Sequence, residues 1–232
     1  MRSIFPVLWE ALKHYWEDFF VLTVMNILTV LLVLPVVTFP PALAGLWYIG
    51  SQAANGRAVQ WSDYFWGFRR YFLKAWGLAL INILVAAIVL TNIWFYGPDV
   101  VPFNISATLT VWIRSIFVGL GFIWWCYQLY PMAMLLEQED QRIRLALRNS
   151  AILLIANPGA TFVLGVLSLL IIVLSLILPP LMVLLALSLL AVVCNQVDIH
   201  LLKPFREKAK AEEEATQEDQ EASGEPGDEK TG

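Results

Sequence analysis

The sequence predicts an all-α, polytopic membrane helix bundle, and three observations predict it. The chain has 232 residues, of which 59% are hydrophobic and only 15% charged, against about 25% charged in a soluble domain. Its apolar residues gather in long uninterrupted runs, and crossing about 30 Å of hydrocarbon takes roughly 20 of them. Its basic residues are confined to alternate linkers between those runs. A single soluble core cannot hide so much apolar surface, which excludes an ordinary soluble enzyme. Two cysteines, both inside apolar runs, exclude a disulfide scaffold. A pI near 5.2 argues against nucleic acid as a partner.

The first run is Phe19–Val37. Its length and the acidic Glu17 and Asp18 before it argue against a cleaved signal peptide, although Ala42-Leu43-Ala44 resembles a cleavage site. Pro41–Ala54 follows and has too few residues for an easy crossing, so it is expected as a short span or a re-entrant segment. Ala75–Tyr96, Ala107–Leu136, Ala160–Leu178 and Leu181–Leu202 are long enough to span. Proline marks the turns at Pro35 and Pro40-Pro41, at Gly97-Pro98 and at Pro179-Pro180, because proline lacks an N–H and stops a helix.

Charge favours six crossings over five. Lys and Arg stay on the cytoplasmic side of short loops. Linker 55–74 carries Arg57, Arg69, Arg70 and Lys74; linker 137–159 carries Arg142, Arg144 and Arg148; Lys203, Arg206, Lys208 and Lys210 follow the last run. With six spans, fourteen of the fifteen basic residues share one face, Arg114 being the exception. Both termini are then expected in the cytoplasm. Before each pair of spans lies an amphipathic stretch, at Ile4–Phe20, Trp61–Trp76 and Gln138–Asn157, suited to a helix in the cytoplasmic headgroup layer. The order of interfacial helix, span, outside turn and span thus occurs three times, with weak residue identity between units.

Residues 1–206 form the expected membrane domain. Residues 207–232 hold ten acids and three lysines and no aromatic or branched aliphatic side chain. Such a segment has little to bury against its ordering entropy and is expected to be disordered.

Intramembrane polar groups are the candidate functional residues, because they are costly in lipid. Asn26, Asn82, Gln128 and Asn195 lie at similar counted depths in four spans, roughly 10–12 Å from the cytoplasmic boundary at 1.5 Å per residue. They predict one shared layer, read either as hydrogen-bonded glue between helices or as a polar cavity. Asp198 is the only acid in the last span, and Arg114 lies near the outer end of the fourth, where Asp99 is its expected partner. Gly119 with Gly121, and Thr161 with Gly165, are small residues that permit close helix approach. His14, His200, Cys126 and Cys194 form no zinc-ligand spacing, and no Gly-rich phosphate loop or GxSxG elbow is present. No catalytic residue, metal or cofactor is expected.

Two segments resemble a known family. The stretch Leu34–Tyr48 carries Pro35, Thr38, Pro41 and Ala42; the stretch Trp61–Phe72 carries Trp61, Asp63, Phe65, Phe68 and Arg69. Together they resemble the YesL-like family of bacterial membrane proteins, of unknown function (DUF624). Pro40 stands where the family commonly has Gly. The resemblance implies a small multi-pass protein of the bacterial plasma membrane, in a carbohydrate-uptake or polysaccharide-use context. It transfers no catalytic residue. Ser62 or Asp63 beside that motif is expected to cap a helix N-terminus. The expected role is non-enzymatic, accessory to transport or envelope processes, with the lipid bilayer and another membrane protein such as a transporter subunit as partners. A small-solute transporter using the amide layer is the rival, and a membrane-embedded enzyme has least support.

Overall fold

The computed structural model describes residues 4–97, 106–138 and 140–223. Arg2, Pro98, Asp99 and Glu139, and both chain ends, lie outside the described residues. Among the described residues every regular element is helical, so the expected all-α class holds. The chain divides into two compact units, Met1–Asp198 and Ile199–Gly232.

In the first unit, α1 (Phe5–Glu17) and α2 (Phe19–Leu32) meet at a bend of 87°. A tight turn at Val36–Thr38 leads into α3 (Phe39–Ala54), followed by α4 (Trp61–Arg70) and α5 (Phe72–Phe95). Then come α6 (Ala107–Tyr127), α7 (Pro131–Glu137), α8 (Ile143–Ala156) and α9 (Pro158–Ile177). A short α10 (Pro179–Leu181) and a π-turn at Met182–Ala186 open α11 (Leu187–Ser223). An amphipathic helix therefore does precede each apolar pair, as α1, α4 and α8.

Among the described residues four helices are long and apolar enough to cross a membrane, or five if the bent pair α1–α2 counts as one. The first two expected spans are the short ones. Leu32 ends α2 after 14 residues, about 21 Å at 1.5 Å per residue, because Pro35 stops the helix where the apolar run continues to Val37. The following α3 has 16 residues, about 24 Å. The fourth expected span is one span in the structure as well, Thr108–Glu137, interrupted between α6 and α7 just ahead of Pro131.

The α2–α3 hairpin has specific fastenings. Thr38 Oγ1 donates to Leu32 O at 2.6 Å and to Pro35 O at 2.8 Å, satisfying carbonyls that the proline-broken helix leaves open. Its tip stays apolar and exposed, with Leu34 at 81% and Val36 at 72% exposure. The Trp76 indole N–H donates to Val37 O at 3.0 Å, which sets the tip beside the first turns of α5. At its other end α3 closes with Gly56 at φ 67, Gly56 N–H on Ala53 O and Arg57 N–H on Gln52 O; this glycine-terminated cap needs a left-handed residue.

The core centres on α3, which buries Ala42, Ala44, Leu46, Ile49 and Ala53. It meets α4 closely because a Cβ on Gly45 would lie 2.7 Å from Tyr64 O, and one on Gly67 would lie 2.7 Å from Tyr48 Cβ. Gly50 meets Ala191 of α11 in the same way at 3.0 Å. The α4 start is held by a capping box in which Gln60 N–H donates to Asp63 Oδ2 at 3.0 Å. Asp63 therefore caps, from the third helical position. By contrast α5 buries only Ala75 and Leu78, and Leu84, Trp94, Trp112 and Ile116 are all exposed, as a lipid-facing surface is.

The second unit continues α11 to Ser223, with Pro204 inside the helix. The expected tail from residue 207 thus begins inside α11. The segment is rich in Ala, Glu, Lys and Gln, which are good helix formers without any packing.

Candidate functional site

The four amides do not share one layer. Asn26 on α2 is fully buried against the π-turn of the last apolar segment. Its Nδ2 donates to Met182 O at 2.9 Å and Val183 O at 2.6 Å, and its Oδ1 accepts from Ser188 N–H at 2.8 Å. A π-turn displaces the regular i to i−4 ladder, and this one side chain bonds the carbonyls of its first two residues and an N–H just after it. Tyr15 of α1 reaches the same place, its hydroxyl 3.1 Å from Ser188 Oγ.

Asn195 is also fully buried. Its Nδ2 donates to Ala191 O one turn back at 2.7 Å and to Trp47 O of α3 at 3.2 Å. Seven positions separate Ser188 from Asn195, about 10 Å along a helix, so Asn26 and Asn195 fasten α11 at different heights. Counting from Phe19, where α2 begins, put Asn26 level with Asn195, but its partners are the π-turn and Ser188, near the start of the last apolar segment.

Asn82 and Gln128 do come together. Both line a cleft of about 320 Å³ between the start of α3, the first half of α5 and the α6–α7 break. Asn82 Oδ1 accepts from the Trp124 indole N–H at 3.1 Å. Gln128 has no hydrogen bond from its side chain among the described residues. The rest of the wall is apolar, from Val36, Phe39, Leu43, Ala79, Ile83 and Met132, with the indoles of Trp47 and Trp76. The Trp47 indole nitrogen is buried without an acceptor.

Asp198 is fully buried on α11, within electrostatic reach of Tyr130 and Cys194. Arg114 stands half-exposed on α6 and makes no salt bridge among the described residues; its expected partner Asp99 lies outside them. Gly165 is the close approach that the small-residue pattern predicts, for a Cβ there would overlap Cys126 Sγ. Gly121 packs on Val89 at 3.3 Å, but nothing lies within 4 Å of a Cβ on Gly119. Cys126 and Cys194 are buried and free. Among the described residues no three His, Cys, Asp or Glu side chains gather as metal ligands.

Several polar pairs have no signal in the sequence. Thr29 Oγ1 meets the Tyr64 hydroxyl at 3.0 Å, Trp125 donates to Ser168 at 3.1 Å, and Tyr130 pairs with Thr161 at 2.8 Å. Tyr64 is fully buried on α4, and burial pushes its phenol up to about 12 against the lowering effect of the Thr29 bond.

The family motif residues are structural by this geometry. Thr38 closes the hairpin, Pro41 and Ala42 are buried at the α3 start, Asp63 caps α4, and Trp61, Phe65 and Arg69 lie on the exposed side of α4. The same hairpin, α4 and nearly all of α5 carry a family match. Residues 19–93 match the model for Protein of unknown function, DUF624. The match covers roughly a third of the chain and includes both motif segments, so the DUF624 resemblance is borne out there. No curated protein and no solved structure matches the chain. Of the cleft, the DUF624 segment supplies the α3 and α5 walls; Gln128, Pro131 and Met132 come from beyond it.

Proposed function

We propose that this chain is a non-enzymatic accessory protein of the bacterial plasma membrane, serving transport or envelope processes in company with another membrane protein such as a transporter subunit. The observation that carries the reading is the use of the amides. Asn26 and Asn195 are bonded to backbone groups of neighbouring helices, and Asn82 to an indole. Intramembrane polarity here fastens helices. In this reading both termini face the cytoplasm, because the basic linkers lie on one side and the short α2–α3 hairpin enters and leaves from that side. The carbohydrate-uptake context belongs to the family resemblance.

The rival reading, a small-solute transporter, has one observation in its favour: Asn82 and Gln128 share a cleft beside a helix break, the arrangement transporters use for substrate. Photo-crosslinking in native membranes tests the accessory reading. A photoreactive residue at Trp94 or Trp112 on the exposed face is expected to capture one defined membrane protein. Adducts with lipid alone, at every position tried on that face, would refute it.

A further inference from the structure

We propose that the cleft between α3, α5 and the α6–α7 break is a lipid site, holding one acyl chain of a bilayer lipid with its ester carbonyl on the Gln128 and Asn82 amides. This goes beyond the accessory reading and does not depend on which partner is captured.

The walls set the ligand class. Val36, Phe39, Leu43, Ala79, Ile83 and Met132 present hydrocarbon, and a volume of about 320 Å³ is at the small end of ligand pockets, roughly 300–1,000 Å³. That suits a single chain. Two side-chain amides, Asn82 and Gln128, belong to this otherwise apolar wall and have N–H groups that lack a protein acceptor. Gln128 makes no side-chain hydrogen bond among the described residues, and Asn82 uses only its Oδ1. An N–H withdrawn from water without an acceptor is costly, so an occupant that brings an acceptor is favoured.

The same donors choose between occupants. No Lys or Arg lines the cleft, so it offers nothing to offset the desolvation of a phosphate or free carboxylate. A transmembrane helix of a partner satisfies its own carbonyls internally and is about 10 Å across, too broad for this space. An ester carbonyl is uncharged, is an acceptor without a donor of its own, and is attached to a chain that matches the walls. The break at Gln128–Tyr130 matters here: it ends α6 and lets the Gln128 amide sit beside Pro131 and Met132 on the cleft wall.

The test uses the full chain in phosphatidylcholine and phosphatidylglycerol nanodiscs. These contain a trace of phosphatidylcholine bearing a diazirine on one acyl chain near its ester, and adducts are mapped by mass spectrometry. Labelling at Leu43, Ile83 and Met132 is expected to exceed that at Trp94 and Trp112 several-fold. Ala79→Phe, which fills the cleft, and Gln128→Leu are each expected to remove most of that excess. Asn82→Leu deletes the second amide and is expected to lower the excess in a protein whose helix content is unchanged. Equal labelling at both sets of positions would overturn the proposal, as would an excess that survives both Ala79→Phe and Gln128→Leu. Loss of the excess when a soluble disaccharide is present during irradiation would overturn it too, since it would assign the donors to a solute.

Discussion

Replacing Asn26 by Leu removes a side chain that bonds three backbone groups of the last apolar segment, Met182 O, Val183 O and Ser188 N–H. Inter-helix hydrogen bonds inside membranes average about 0.6 kcal/mol, so three of them amount to about 2 kcal/mol. The π-turn adds to this. Its displaced carbonyls and the Ser188 N–H have no water to turn to, and a buried group left unsatisfied costs about 1–3 kcal/mol. Partial relaxation of the π-turn toward regular helix offsets some of that cost. The expected loss is therefore about 2–4 kcal/mol, read from reversible unfolding in bicelles. Asn92→Leu is the control: its amide donates only to Ile88 O one turn back on an exposed surface, and its loss is expected to stay below about 0.5 kcal/mol. If Asn26→Leu and Asn92→Leu lose the same stability, the fastening argument is refuted.

Further outcomes follow from the same contacts. Gly165→Ala drives a Cβ against Cys126 Sγ and is expected to cost about 1–3 kcal/mol by overpacking; Cys126→Ala made with it should restore much of that loss in a double-mutant cycle. Asp63→Ala removes the bond to Gln60 N–H and should cost about 0.5–2 kcal/mol, with Asp63→Asn recovering part of it in the same unfolding measurement. Tyr64 has a raised pKa of about 12, so the fold favours its neutral phenol. Its contribution to stability is complete below the ordinary tyrosine value near 10 and is lost as pH rises through about 12. In phenolate absorbance the late-titrating fraction should fall by one tyrosine in Tyr64→Phe, while the other buried tyrosines, Tyr15 and Tyr71 among them, still titrate late because burial raises them too.

Composition and charge made the class legible, because apolar excess and basic linkers reflect the bilayer directly. The amphipathic stretches before each apolar pair were equally readable, and α1, α4 and α8 occupy them. The crossing count was harder. Hydropathy continues through Leu34, Val36 and Val37, but the helix stops at Leu32, and only backbone geometry at Pro35 and Thr38 reveals that. The Asn82–Gln128 neighbourhood was partly visible, since similar counted depths brought both to attention. Asn26 was placed level with Asn195 by counting from Phe19, where α2 does begin; its partners are the π-turn and Ser188, and a π-turn has no pattern in the residues. In the tail the lack of apolar side chains argues for disorder, and the helix-forming composition for the helix that α11 continues to Ser223.

The central claim is that polarity within this membrane domain fastens helices and seats a lipid, and conducts no solute. Uptake of a panel of radiolabelled mono- and disaccharides into proteoliposomes tests it most directly. The account predicts rates equal to those of protein-free liposomes. Sugar flux above that background, abolished by Asn82→Leu in a variant that still folds, would contradict it.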